Sequence, residues 1–140
     1  MAARKLAILV ERAGTEVYRS QKPGVVPLIE LVERFPRGLD GAVVADRVVG
    51  GCAARILAWL RVMRVHAAIG SAIAGAVLKK SGIDYLCRRE VAQIRNRTDT
   101  GVCPFEALSQ EHQDPGQLIA AVKSRLRQTR PGSLTRPRES

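Results

Sequence analysis

Aromatic residues are scarce in this chain: only 4% of its 140 residues are Phe, Trp or Tyr. Proteins that hold single-stranded nucleic acid usually stack the bases on aromatic side chains, so that mode of binding has little material here. Hydrophobic residues still make up 46% of the sequence and are spread along it. The chain can therefore bury a core, which must be built mostly from Val, Leu, Ile and Ala.

Long hydrophobic runs are also absent. A membrane-spanning helix needs ~20 consecutive apolar residues, and no stretch of this chain approaches that length. The apolar run Leu6–Val10 is too short for the hydrophobic part of a signal peptide, and it is followed directly by Glu11 and Arg12. We therefore expect a soluble, cytoplasmic protein without a membrane partner.

Motifs for metals, cofactors and common nucleophiles are missing. The three cysteines (Cys52, Cys87 and Cys103) and two histidines (His66 and His112) form no Cys-x-x-Cys, His-x-Glu or His-Glu-x-x-His pattern. Zinc sites usually show such local ligand pairs, so we predict no metal site and no cofactor. An odd number of widely spaced cysteines also argues against a disulfide framework. No phosphate-binding glycine loop follows a strand, and no Gly-x-Ser-x-Gly elbow is present.

The chain is strongly basic, with a formal net charge of +10. Such a charge favours an anionic partner such as a nucleotide, a nucleic acid or an acidic surface. Lys123–Ser140 holds six cations and one acid, so much of the excess belongs to the C-terminal end, where a solvated charge run is the simpler explanation. We predict a single domain over residues 1–128 and a basic, disordered tail over residues 129–140.

Hydrophobic periodicity and turn residues predict an alternation of strands and helices. The predicted strands are a hairpin of Leu6–Val10 and Val17–Arg19, then Ala42–Ala45, Val65–Ile69 and Ile83–Arg88; the predicted helices start near Pro27, Arg47, Ser71, Pro104 and Asp114. Strand–helix–strand crossovers make neighbouring strands parallel. The prediction is an α/β fold: a three-layer α-β-α mixed sheet that starts with a β-hairpin.

Asp46 follows the predicted strand Ala42–Ala45 and is a good N-cap for the next helix. Ligands of open α/β sheets bind where loops lead from strands into helices, so Asp46 is also a candidate site residue. Gly50 and Gly51 would then lie inside the helix, where each costs ~1 kcal/mol relative to Ala. Close packing against a neighbour explains them, as does close approach of a ligand.

The segment Asn96–Glu106 is the strongest candidate for function. It places hydroxyls, an amide, cations and a glycine directly before a helix that begins at Pro104. Cys103 would be the N-cap and Glu106 the third helical residue, so a phosphate, carboxylate or thiolate would face the positive end of the helix. A cysteine at such a position can have a lowered pKa. The alternative is structural: Glu106 closes a capping box, Cys103 is a small buried residue, and the polar groups satisfy the loop backbone.

Two stretches of the chain resemble the signatures of an uncharacterised prokaryotic domain-of-unknown-function family. They are Ala45-Asp46-Arg47-Val48-Val49-Gly50 and Asn96-Arg97-Thr98-x-Thr100-Gly101-x-Cys103-Pro104-x-Glu106, with Gly24-Val25-x-Pro27-Leu28 matching as well. The resemblance runs from about residue 5 to residue 127 and implies a cytidine deaminase-like fold. This chain differs from the family pattern at Gly51, where a lysine is usual, and at Asp99, where a glycine is usual.

The resemblance also bears on chemistry. Zinc deaminases carry their ligands at two helix starts, which here correspond to Val25–Pro27 and Asp46–Val49, and neither stretch holds zinc ligands. Zinc-activated deamination is therefore not expected.

The leading hypothesis is a metal-free pocket for a small anionic or nucleotide-like ligand. Asp46 and Arg47 would contribute from one helix start, and the other start would supply the remaining ligand-binding residues: Asn96, Arg97, Thr98, Thr100 and Gly101. If a reaction follows, Cys103 is the candidate nucleophile and Asp46 or Glu106 the acid or base. The alternatives are a nucleic-acid-associated module acting through the basic tail, and a non-catalytic regulatory protein.

Overall fold

A computed structural model describes residues 6–22, 24–92 and 104–129 of the chain. Its strands are β1 (Ile8–Arg12), β2 (Thr15–Ser20), β3 (Ala42–Val49), β4 (Arg64–Ser71) and β5 (Asp84–Val91). Its helices are α1 (Val26–Arg34), α2 (Gly51–Trp59), α3 (Ala72–Lys80), α4 (Pro104–Glu111) and α5 (Pro115–Thr129). No helix of this part of the chain is both long enough and apolar enough to cross a membrane.

The five strands form one mixed sheet in the order β2-β1-β3-β4-β5. β1 pairs antiparallel with β2 and with β3, whereas β3, β4 and β5 run parallel. The predicted hairpin is confirmed, and its two-residue turn has positive φ at both Ala13 and Gly14. Two positive φ angles give the turn a twist that matches the twist of the paired strands. The mixed α/β sheet predicted from the sequence is thus present.

Two predicted helix starts are confirmed by their hydrogen bonds. The hydroxyl of Ser71 accepts from the backbone N–H of Ala74 at 3.1 Å, which caps α3. The carboxylate of Asp114 accepts from the N–H of Gln117 at 3.0 Å, at the start of α5. Both bonds satisfy amide groups that have no partner inside their own helix.

The described helices lie on one side of the sheet. Helix α2 contacts all four others, and the buried strand residues alternate with exposed ones. On β4, Val65 and Ala67 are buried, whereas His66 is half-buried and Ala68 is exposed. Three crossovers advance in the same direction across the sheet: β2–α1–β3, β3–α2–β4 and β4–α3–β5. Because such connections are right-handed, their helices lie on the same face.

The predicted three-layer α-β-α arrangement is therefore corrected. Within the residues described, no helical layer covers the second face of the sheet, and Leu86 on that face is 52% exposed. We call this second surface the open face, and the covered one the helix face.

The boundary between β3 and α2 also differs from the prediction. β3 continues to Val49, and α2 begins at Gly51 with Gly50 as its N-cap. Asp46 is consequently a strand residue and not the N-cap. The strand extends because both of its neighbours bind it: the N–H of Arg47 donates to the carbonyl of Ala7 at 3.1 Å, and Val48 and Val49 pair with β4. The two glycines lie at the helix start, where an interior penalty does not apply.

Candidate functional site

The carboxyl ends of the three parallel strands define the candidate site. β3 leads through Gly50 into α2, β4 leads through Ser71 into α3, and β5 ends at Val91. Ends of parallel strands meet at one edge of a sheet, where ligands of open α/β folds usually bind. The segment predicted to carry function follows β5 along the chain, and α4 at its far end contacts α2.

Asp46 lies in the central strand of the sheet with its side chain on the helix face. Its cross-strand partners are Ile8 on β1 and Ala67 on β4, and both are almost fully buried. Residues directly opposite in a sheet project to the same side, so the carboxyl group shares the environment of those apolar side chains. Asp46 as a whole residue is half-buried.

Burial raises the pKa of Asp46 from its ordinary value of 3.8 to about 7. Desolvation is the dominant cause, because a carboxylate loses its hydration when it is enclosed by protein. Hydrogen bonds from the backbone amides of Val48 and Arg47, and the charge of Arg47, act in the opposite direction and offset only part of the cost. The carboxyl group therefore changes its protonation state near neutral pH.

Arg47 does not act from the same side as Asp46. It is the next residue of an extended strand and is exposed, and successive strand residues project to opposite faces. The sequence-based hypothesis that both side chains contribute from one helix start is corrected on this point. Asp46 belongs to the helix face, and Arg47 belongs to the open face.

The second half of the predicted site lies outside the described residues. This applies to Asn96, Arg97, Thr98, Thr100, Gly101 and Cys103. The predicted helix from Pro104 is confirmed as α4, and Glu106 belongs to its first turn, but the description does not extend to the Glu106 side chain. The roles assigned to these residues remain predictions.

A pair of polar groups on β5 was not predicted from the sequence as part of a site. The hydroxyl of Tyr85 is buried and has no hydrogen-bond partner among the residues that the structure describes, and burial raises its pKa. This hydroxyl lies against Gly70 at the end of β4. A Cβ atom added at Gly70 would overlap the hydroxyl and would lie 3.1 Å from the Cys87 sulfur. The alternation of Tyr85 and Cys87 predicts a shared strand face, but the contact with Gly70 depends on a distant strand.

No cluster of three or more His, Cys, Asp or Glu side chains that could hold a metal ion occurs among the residues described. Within this part of the chain Asp46, Cys87 and Tyr85 place a carboxyl group, a thiol and a phenol on the helix face of the strands, and Cys52 adds a buried thiol in the first turn of α2. These groups can donate, accept or exchange protons.

Comparison with known proteins places these features in context. A family model described as a domain of unknown function, DUF1893, matches residues 1–126. A crystal structure of a DUF1893 family protein from Thermotoga maritima is similar to this chain, with a TM-score of 0.80 and 28% sequence identity. That similarity covers 89% of this chain and 83% of the Thermotoga chain. No curated protein matches the sequence.

Proposed function

The chain belongs to the DUF1893 family, and from the geometry of Asp46 we propose that it binds a nucleotide-like ligand at the carboxyl ends of its parallel strands. Asp46 contacts the polar edge of the ligand's heterocyclic ring in this proposal. The Asn96–Gly101 segment and the start of α4 hold its anionic part. The proposal requires no metal and no cofactor.

The buried carboxyl group of Asp46 is the observation that carries this proposal. An acid opposite Ile8 and Ala67 destabilises the native state when it ionises, because desolvation outweighs the amides that bind it. Asparagine or threonine would occupy the same place without that cost. Carboxyl groups with strongly raised pKa values are concentrated at binding and catalytic sites, so a ligand is the better explanation for an acid at this position.

The protonation state suits recognition of a nucleobase. With a pKa of about 7, Asp46 can accept a hydrogen bond from a ring N–H when ionised and donate one to a ring nitrogen when protonated. In this proposal the ring reaches the carboxyl group from the carboxyl ends of the parallel strands. The remaining requirement, a polar segment for the anionic part, matches the hydroxyl and amide groups between Asn96 and Gly101.

The same proposal includes a cytidine deaminase-like architecture and a cysteine-dependent reaction on the bound ligand. A five-strand mixed sheet with helices at the carboxyl ends of parallel strands is compatible with that architecture. If chemistry occurs, Cys103 is the proposed nucleophile, with Asp46 or Glu106 exchanging the proton. Selective alkylation tests this step: a Cys103 that reacts no faster than an unfolded cysteine would exclude it.

Titration of the ¹⁵N-labelled protein with nucleoside monophosphates and nucleosides at pH 6 and pH 8 tests the binding proposal. We expect shifts at the amides of Arg47, Val48 and Gly50, and an affinity that changes about tenfold between the two pH values as Asp46 titrates. Asp46→Asn should remove the pH dependence, and Asn96→Ala should weaken binding at both pH values.

Asp84→Asn is the matched control, because Asp84 is an exposed strand residue whose carboxylate binds Arg64 at 2.9 Å. It should leave both the affinity and its pH dependence unchanged. The proposal is wrong if none of these compounds binds at millimolar concentration, or if binding is equally strong in Asp46→Asn and independent of pH.

A further inference from the structure

A hollow of about 420 Å³ lies on the open face, on the opposite side of the sheet from the Asp46 carboxyl group. One row of its side chains crosses four paired strands: Leu9, Ala45, His66 and Leu86. Ala45 lies between Leu9 and His66 in this row, and its small side chain leaves a depression there. We call this feature the open-face groove.

A second row closes one end of the groove with charge. Arg47, Ala68 and Arg88 lie at the same level of β3, β4 and β5, because the residues before and after them are paired across these strands. The flanking strands are about 10 Å apart, a gap that two arginine side chains can span above the small Ala68. Arg88 forms no ion pair with any residue in the described part of the chain.

Asp46 is the one acid among the described residues that line the groove, and its side chain projects to the helix face. Glu90 follows Arg88 by two positions on β5 and is exposed, but it is not among the described residues that line the groove. Elsewhere on the open face, Asp84 is bound to Arg64, one row beyond His66 and Leu86. The groove thus combines an apolar floor with a positively charged end.

We propose that the open-face groove is a second binding site, for a small amphipathic anion with a phosphate or carboxylate head and a short aliphatic body. Arg88 and Arg47 bind the head, and Leu9, Ala45 and Leu86 contact the body. The volume falls within the range of small-molecule sites, and the single charged end fixes the direction in which the ligand lies. This site is independent of the nucleotide-like ligand proposed for the helix face.

Octyl phosphate, below its micellar concentration, is the probe for this site, with octanoate as the carboxylate arm. We expect amide shifts on β3, β4 and β5 around Ala45, Ala68 and Leu86, and binding by calorimetry. Inorganic phosphate and 1-octanol, which present the head and the body alone, should each bind at least tenfold more weakly. Equal binding of inorganic phosphate would overturn the apolar half of the proposal, and binding only to phosphatidic acid vesicles would show a membrane surface instead.

Two variants separate the contributions of shape and charge. Ala45→Leu fills the exposed centre of the groove and should abolish octyl phosphate binding, whereas Ala76→Leu, at an exposed position on α3, should not. Arg88→Gln should weaken binding about tenfold, whereas the neighbouring Arg89→Gln, outside the groove, should have little effect. Unchanged affinity in both Ala45→Leu and Arg88→Gln would refute the site.

Discussion

Replacing Asp46 by Asn should stabilise the protein, and the gain should depend on pH. The pKa of the carboxyl group is about 7 in the native state and 3.8 in its ordinary state, so the native protein holds this proton more tightly than the unfolded chain does. As pH rises from about 4 to about 7, the unfolded carboxyl ionises while Asp46 stays protonated, and the free energy of unfolding falls. Above about pH 7 both forms are ionised and the loss is complete.

The magnitude follows from the raised pKa. Each unit of pKa difference corresponds to about 1.4 kcal/mol, so an increase from 3.8 to about 7 removes about 4 kcal/mol of stability at pH 8. Asparagine has nearly the same size and no charge, and its carbonyl can still accept from the amides of Arg47 and Val48. We therefore expect Asp46→Asn to match the wild type near pH 4 and to exceed it by up to about 4 kcal/mol at pH 8.

Urea denaturation, followed by circular dichroism from pH 4 to pH 8, measures this difference directly. Asp40→Asn is the control, because Asp40 is exposed and a hydrogen bond from Arg61 lowers its pKa. Removing that carboxylate should give no gain at pH 8. The reasoning about Asp46 is refuted if Asp46→Asn is no more stable than the wild type at pH 8, or if its advantage is the same at every pH.

Two further predictions concern the ends of the parallel strands. Gly70→Ala should lower the free energy of unfolding by about 1–3 kcal/mol, because the new methyl group would overlap the Tyr85 hydroxyl and crowd the Cys87 sulfur. In thermal denaturation, the double variant Gly70→Ala, Tyr85→Phe should recover most of this loss. A double variant as unstable as Gly70→Ala alone would contradict the contact. Ser71→Ala removes the hydroxyl that caps α3 and should cost about 1 kcal/mol, checked by urea denaturation. Ser81→Ala, at an exposed position after the same helix, should cost less, and an equal loss would argue against the capping role.

Local signals in the sequence predicted those features that depend on local interactions. Ser71 and Asp114 each bind an amide three residues ahead, so the spacing of residue types is sufficient to identify both caps. The end of β3 depends instead on pairing with β1 and β4, which come from distant parts of the chain. Asp46 resembles a cap in its local context, and only the neighbouring strands show that it is a strand residue.

The position of the helices could have been predicted only with the strand order in hand. Right-handed crossovers place helices on one face when the strands advance in one direction, and on both faces when the direction reverses. The sequence shows an alternation of elements but not which strands are neighbours. The open-face groove was missed for the same reason, since Leu9, Ala45, His66 and Leu86 meet only through the pairing of four strands.

The alternation along β3 has a consequence for how this protein tolerates change. Asp46 and Arg47 are adjacent in the chain, yet a single thickness of backbone separates the surfaces that they serve. A one-residue insertion or deletion within Ala42–Ala45, with the pairing upstream of it held in place, would shift Asp46 and Arg47 by one position and turn the carboxylate to the open face and the guanidinium to the helix face. Insertions in the Arg37–Gly41 connection do not change which residues of β3 face each side of the sheet. Length variation before β3 is therefore compatible with both surfaces, whereas length variation inside the strand would exchange them.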